Sequence, residues 1–163
     1  RSLVDAGKCQ FDVGNVLDLP YEDNAFDAVV SYRFLAHVEN WQGFLKEISR
    51  VAKKAVIVDY PTLRSINYIT PLLFSLKKGV EKHTRHYTCY HEPELLNSAK
   101  PLGLDGGDRY AQIFWPMVLH RMLKKPQLSA SLEGSARVVG LSRLLGSPII
   151  LKFVKNQEAN LDG

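Results

Sequence analysis

The run FDVGNVLDLPYEDNAFDAVVSYRFLAHVENWQGFLKEISRVAKKAVIVDY, residues 11–60, decides the fold. Within it Ala28–Val30 and Ala55–Val58 are apolar runs too short for helices and rich in Val and Ile, so they read as buried strands. Between them Trp41, Phe44, Leu45, Ile48, Val51 and Ala52 recur at the spacing that lines one face of a helix. Asn40 stands where an N-cap would, its side chain able to accept from a free backbone donor of the first turn. A strand, a helix and a strand at this spacing make a right-handed crossover, which requires the two strands to be parallel. The expected architecture is a doubly wound α/β sheet covered by helices.

Gly14 to Val30, GNVLDLPYEDNAFDAVV, resembles a run of class I S-adenosylmethionine-dependent methyltransferases of the type 11 kind. Two further signatures of that family follow in Ala36-His37-Val38 and in Leu45–Lys53. The likeness is close over the first sixty or so residues and holds in outline beyond them. It implies a Rossmann-like, mostly parallel sheet with helices on both faces and an antiparallel C-terminal edge pair. The family's glycine-rich turn and ribose-binding acid would precede Asn15. Nothing before Asn15 can serve as either, so the fold is expected to be incomplete at its N-terminus, and the chain alone inactive. The family's strand order would set two further strands between the Phe11 strand and the Ala28 strand. Without them two apolar edges would stand unpaired, so a longer molecule, a second chain or a rearranged strand order is expected to close them.

Composition bounds the alternatives. One domain, residues 1–163, suits this length. Cys9 and Cys89 make no disulfide framework, so a reducing, cytoplasmic setting is the default. No apolar run reaches the length of a membrane span, and no leader opens the chain. The net charge of +4 is uneven: residues 1–63 carry seven Lys and Arg against nine Asp and Glu, residues 64–163 fourteen against eight. The basic residues are scattered without aromatic interleaving, which reads as a solvated face and not a nucleic-acid surface. Peripheral membrane contact and homo-oligomer formation stay open.

Along the chain, Arg1–Ala6 reads as a last helical turn with Gly7 as its C-cap. Phe11 and Val13 alternate with polar neighbours in a short strand ending near Asn15. The resemblance gives Asn15 to the adenine amine, with Val16 and Leu17 beside the ring. The local alternative is an Asn bonding its own backbone at a strand-to-turn junction. Asp27 opens the next strand, where the family's aspartate is structural. Ser31, Tyr32 and Arg33 follow that strand's carboxyl end and should border the cofactor, since ligands of open parallel sheets bind there. His37, a turn further on, is a candidate base toward a hydroxyl or amine, or a histidine that packs over the cofactor.

Residues 62–91 read as a lid, apolar through residues 63–80 and bent at Pro71. His83, His86, Cys89 and His91 invite a metal reading. Zinc sites usually draw their second pair of ligands from a distant segment, so no metal is expected. In the family this segment leads from lid to helix, and His86 and Tyr87 would face the substrate as catalytic candidates. Glu92–Ala99 reads as a helix with Pro93 in its first turn and acids at its positive end. Tyr110–Trp115 and Ile149–Val154 read as the edge strands, and residues 116–148 as a helical insertion broken at Lys124-Lys125-Pro126. The resulting expectation is S-adenosylmethionine-dependent transfer of a methyl group to a small, partly apolar O, N or C acceptor. A non-catalytic module binding a partner through the basic C-terminal half is the alternative.

Overall fold

The computed structural model describes residues 7–64, 88–115 and 125–156. The expected terminal turn at Arg1–Ala6, most of the expected lid, and the pair His86 and Tyr87 lie outside them, as do residues 116–124 of the expected insertion. A four-stranded sheet organises the rest, built from β1 (Phe26–Ser31), β2 (Ala52–Tyr60), β3 (Leu104–Ala111) and β4 (Ile149–Lys155) in the spatial order β1-β2-β4-β3. β1 and β2 are parallel, with Val29 beside Val56 and Ser31 beside Val58. β4 runs antiparallel to both β2 and β3. The crossover and the C-terminal antiparallel edge are therefore both present, with one parallel pair among the described residues.

Helix α1 (Trp41–Val51) makes the crossover and buries Trp41, Phe44, Leu45, Ile48 and Val51. Its N-cap is Asn40, whose Oδ1 accepts from the Gly43 amide at 3.0 Å. A β-carbon on residue 43 would come within 2.6 Å of the Asn40 side chain, so this cap and a glycine at 43 belong together. At the other end, the Lys155 ammonium donates to the Ser49 and Ala52 carbonyls, each at 2.9 Å. That places a cation on the negative end of the helix, where its charge and its donors are both favourable. Burial pulls the Lys155 pKa down.

One face of the sheet carries the core. Val56, Val58 and Tyr60 of β2 stand in register with Phe153, Leu151 and Ile149 of β4, and all six are buried against α1 and α2 (Glu92–Ala99). Leu95 and Ala99 of α2 complete that layer. On the opposite face α3 (Pro126–Val138) lays Arg137 over the Tyr110 ring, 5.4 Å from its centre. A short α4 (Leu141–Leu145) leads back into β4.

Two expectations are corrected. Phe11 and Val13 form no strand and are 80% and 104% exposed, because no neighbouring strand offers them a ladder. β3 spans Leu104–Ala111 instead of starting at Tyr110. Its glycines hide it from a reading by β propensity, and they are there for close approach: a β-carbon on Gly106 would sit 2.6 Å from Leu96 of α2. Pro126 starts α3, where its missing amide is harmless in a first turn, and the segment expected before the break at Lys124-Lys125-Pro126 lies outside the described residues.

Candidate functional site

The carboxyl ends of β1 and β2 lie side by side, and the chain leaving each is tied down by specific bonds. From β1 it passes through Ser31, Tyr32, Arg33 and Phe34 into a 3₁₀ turn at Leu35–His37. Arg33 adopts a left-handed backbone with φ of 54°. Its amide donates to Oδ1 of Asp59 at 2.5 Å, and Asp59 is a buried carboxylate two residues before Pro61 on β2. Ser31 is also buried, and its hydroxyl has no hydrogen-bond partner. Tyr32 and Phe34 remain 52% and 38% exposed, Phe34 meeting Phe44 of α1 edge to face at 5.3 Å.

The 3₁₀ turn is fixed by Thr88 and Tyr90. The Thr88 amide donates to Ala36 O at 2.9 Å, and the Tyr90 hydroxyl to Leu35 O at 3.0 Å. Tyr90 itself pairs with the chain leaving β2: its amide donates to Pro61 O, and its carbonyl accepts from the Leu63 amide. Burial pushes the Tyr90 phenol up to about 12, so it stays a neutral donor at ordinary pH. The backbone at residues 61–63 and 88–90 is thus joined beside the turn that carries His37. His37 is exposed, and its backbone amide donates to Phe34 O at 2.9 Å.

Asn15 lies in a separate turn. Its Oδ1 accepts from the Leu17 amide at 3.0 Å and its backbone carbonyl from the Asp18 amide at 3.1 Å. That is the local bonding pattern of an Asx turn, and one lone pair of Oδ1 and both amide protons stay available. Val16 is half-buried against the core, whereas Leu17 is exposed. Asp27 pairs with Lys54 at 2.9 Å on an open surface, a salt bridge and not a reactive carboxylate.

Glu47 and Arg50 were present in the sequence signature but had no assigned task there. The structure gives them one. Glu47 Oε1 accepts from the Leu19 amide at 2.8 Å, and the Arg50 guanidinium donates to the Leu19 and Tyr21 carbonyls at 3.1 and 2.8 Å. Arg50 also pairs with Glu47 at 2.6 Å and Asp23 at 2.7 Å. Hydrogen bonding from Arg50, and then from Leu19, holds the Glu47 carboxyl below its usual range. The last turns of α1 therefore grip the loop that follows Asn15–Leu17, while Phe44 near its start supports the turn after β1. A Glu and an Arg three residues apart on a helix with a polar loop upstream were the available signal.

The first 58 residues match the methyltransferase domain family. The chain superposes on magnesium protoporphyrin IX methyltransferase from Synechocystis PCC 6803, solved with SAH bound, with a TM-score of 0.55 at 10% identity. That match covers 88% of this chain and 49% of the other. The chain carries the class I methyltransferase fold. Ajmaline N-methyltransferase of Rauvolfia serpentina is 41% identical over 51 residues, 31% of this chain and 18% of that protein. Norajmaline N-methyltransferase of the same plant is 44% identical over 78 residues, 46% of this chain and 25% of that protein. The chain thus spans a quarter or less of these curated relatives. The chain also superposes on the [4+2]-cyclase SpnF with a TM-score of 0.56 at 20% identity, over 94% of this chain and 59% of that one.

The residues at the strand ends suit an adenosyl cofactor. A buried hydroxyl without a partner, exposed aromatic rings and a turn with free amide donors are the groups such a ligand would use. The groups of three or more His, Cys, Asp or Glu that would hold a metal are absent among the described residues. The histidine segment that prompted that reading falls mostly outside them.

Proposed function

We propose that this protein takes part in S-adenosylmethionine-dependent methyl transfer to a nitrogen atom of a small, partly apolar acceptor. The observation that carries the reading is the turn at Ser31–Phe34. It lies at the carboxyl end of β1, where an open α/β sheet receives ligands, and combines an unpartnered buried hydroxyl with two exposed aromatic rings. The methyltransferase match over residues 1–58 and the two relatives named as N-methyltransferases support both the reaction and the nitrogen acceptor.

On this reading Asn15, Val16 and Leu17 meet the adenine, and Ser31, Tyr32 and Arg33 border the rest of the cofactor. The cofactor supplies a methyl group already activated by the positive sulfur. The protein then has to align the acceptor in line with that methyl and keep water out. His37, His86 and Tyr87 are the candidates for accepting the proton that the acceptor nitrogen loses. A neutral imidazole suits that step because its ordinary pKa lies near neutrality.

The test uses the protein expressed from its complete gene. Isothermal calorimetry should show S-adenosylhomocysteine binding, and mass spectrometry should show a gain of one methyl on an apolar primary or secondary amine. Neither binding nor transfer across a panel of amines, phenols and carbon acids would sink the reading. Such a result would favour the non-catalytic module that binds a partner through the basic C-terminal half.

A further inference from the structure

Among the described residues two buried hydroxyls lack any hydrogen-bond partner, those of Ser31 and Ser142. A buried donor left unmade costs stability, so each one calls for a reason. At Ser31 the surroundings supply one. The next two residues leave the sheet through a left-handed backbone at Arg33, a conformation that an arginine rarely adopts and that persists only when neighbours enforce it. The enforcing neighbour is Asp59. This buried carboxylate sits at the end of the adjacent strand and accepts from the Arg33 amide.

We propose that Asp59 is a positioning residue for the cofactor site: through the Arg33 amide it fixes the turn that leaves β1, so that the Ser31 hydroxyl is held ready to hydrogen-bond the bound cofactor. The inference rests on the methyl-transfer reading, and it adds a residue that no sequence signature marks. Two features separate it from simple packing. Hydrophobic burial is not served by a charged side chain at position 59 or by a lone hydroxyl at 31, since an apolar residue of either size would fill the space without a polar penalty. The arrangement instead keeps one polar atom unsatisfied at the sheet edge where ligands bind, which is the signature of stability given up for a binding site.

The experiment compares Ser31→Ala, Asp59→Asn and Asp59→Ala in the protein expressed from its complete gene. Binding of S-adenosylhomocysteine is read by calorimetry, melting of the ligand-free protein by circular dichroism, and the Arg33 amide by hydrogen exchange. Ser31→Ala should melt at the same or a higher temperature than the parent yet bind S-adenosylhomocysteine about three- to tenfold more weakly, the range of one hydrogen bond. Asp59→Ala should speed exchange at Arg33 and weaken binding. Asp59→Asn, which keeps an accepting oxygen, should restore part of both. If Asp59→Ala proves too unstable to assay, the Asn variant and Ser31→Ala still decide the matter. Should Ser31→Ala lower the melting temperature and leave binding unchanged, the hydroxyl is structural and the inference fails. Binding unchanged in both Asp59 variants overturns the positioning role. A parent protein that binds no S-adenosylhomocysteine would instead remove the methyl-transfer reading beneath it.

Discussion

Tyr60 and Glu92 are joined by a hydrogen bond of 2.8 Å between the end of β2 and the first turn of α2. The phenol is fully buried, and the same carboxylate oxygen also accepts from Arg109 Nε at 2.6 Å. Burial first, then the bond to Glu92, raise the Tyr60 pKa well above its ordinary value, so the phenol is a permanent donor. One carboxylate thus links the parallel strand β2, the helix α2 and the antiparallel edge strand β3. Because Arg109 also donates to the Arg143 carbonyl, the tie extends into α4.

Tyr60→Phe keeps the ring and removes only the donor. A buried hydrogen bond to a charged acceptor is worth about 1.5–3 kcal/mol, and Arg109 continues to neutralise Glu92, so the loss should fall near the lower end. Urea unfolding at pH 7 should therefore show a drop of about 1–2 kcal/mol with the slope unchanged. Tyr60→Phe at parental stability would mean that the phenol exchanges freely with water.

Glu47 gives a prediction in pH. Its pKa is lowered in the folded chain by Arg50 and the Leu19 amide. A depressed carboxyl contributes stability above its unfolded pKa of about 4.3 and loses it as the pH falls through the folded value. Glu47→Gln should therefore be less stable than the parent at pH 7, and the gap should close at pH values below about 4. Equal acid unfolding profiles, offset by a constant at every pH, would show that the charge is not what holds the 19–23 loop.

The cap of α1 couples two positions. Asn40→Ala alone should cost about 1 kcal/mol. Gly43→Ala alone should gain little, since the helix propensity gained, about 0.5–1 kcal/mol, is offset when the new methyl displaces the Asn40 side chain from its bond. In the Asn40→Ala background the clash is gone, and Gly43→Ala should then stabilise by about 0.5–1 kcal/mol. A double-mutant cycle measures the difference. Strict additivity would show that Asn40 does not cap the helix in solution.

The crossover was legible because its physics is local and repeated. Six apolar residues at helical spacing between two Val-rich runs admit one arrangement, and Asn40 caps the helix as its position suggests. β3 was not legible, since Gly106 and Gly107 suppress its strand pattern and their reason lies outside the strand, in Leu96 of α2 for Gly106 and in the Lys152 carbonyl of β4 for Gly107. Phe11 and Val13 have the alternation of a strand, but pairing depends on a neighbour that no local pattern supplies. At the site, the positions of Ser31 to Arg33 followed from the strand end. The holding residue Asp59 did not, because an acid ending a strand says nothing of the amide it will meet across the sheet.

Asn15 can be tested against its own local bonding. In the folded chain its Oδ1 already accepts from the Leu17 amide, so replacing Asn15 affects both the turn and any contact with adenine. Asn15→Asp keeps the accepting oxygen, and with it the turn, while adding a charge that strengthens acceptance from the adenine amine. Asn15→Ala loses both. If the turn presents adenine to Asn15, calorimetry with S-adenosylhomocysteine should show Asn15→Ala weaker by about 1–2 kcal/mol and Asn15→Asp equal to the parent or tighter. The control is the melting temperature, which Asn15→Asp should leave alone because the residue is exposed. If Asn15→Ala and Asn15→Asp both bind like the parent, the side chain serves only its own turn, and the adenine is held by backbone groups instead.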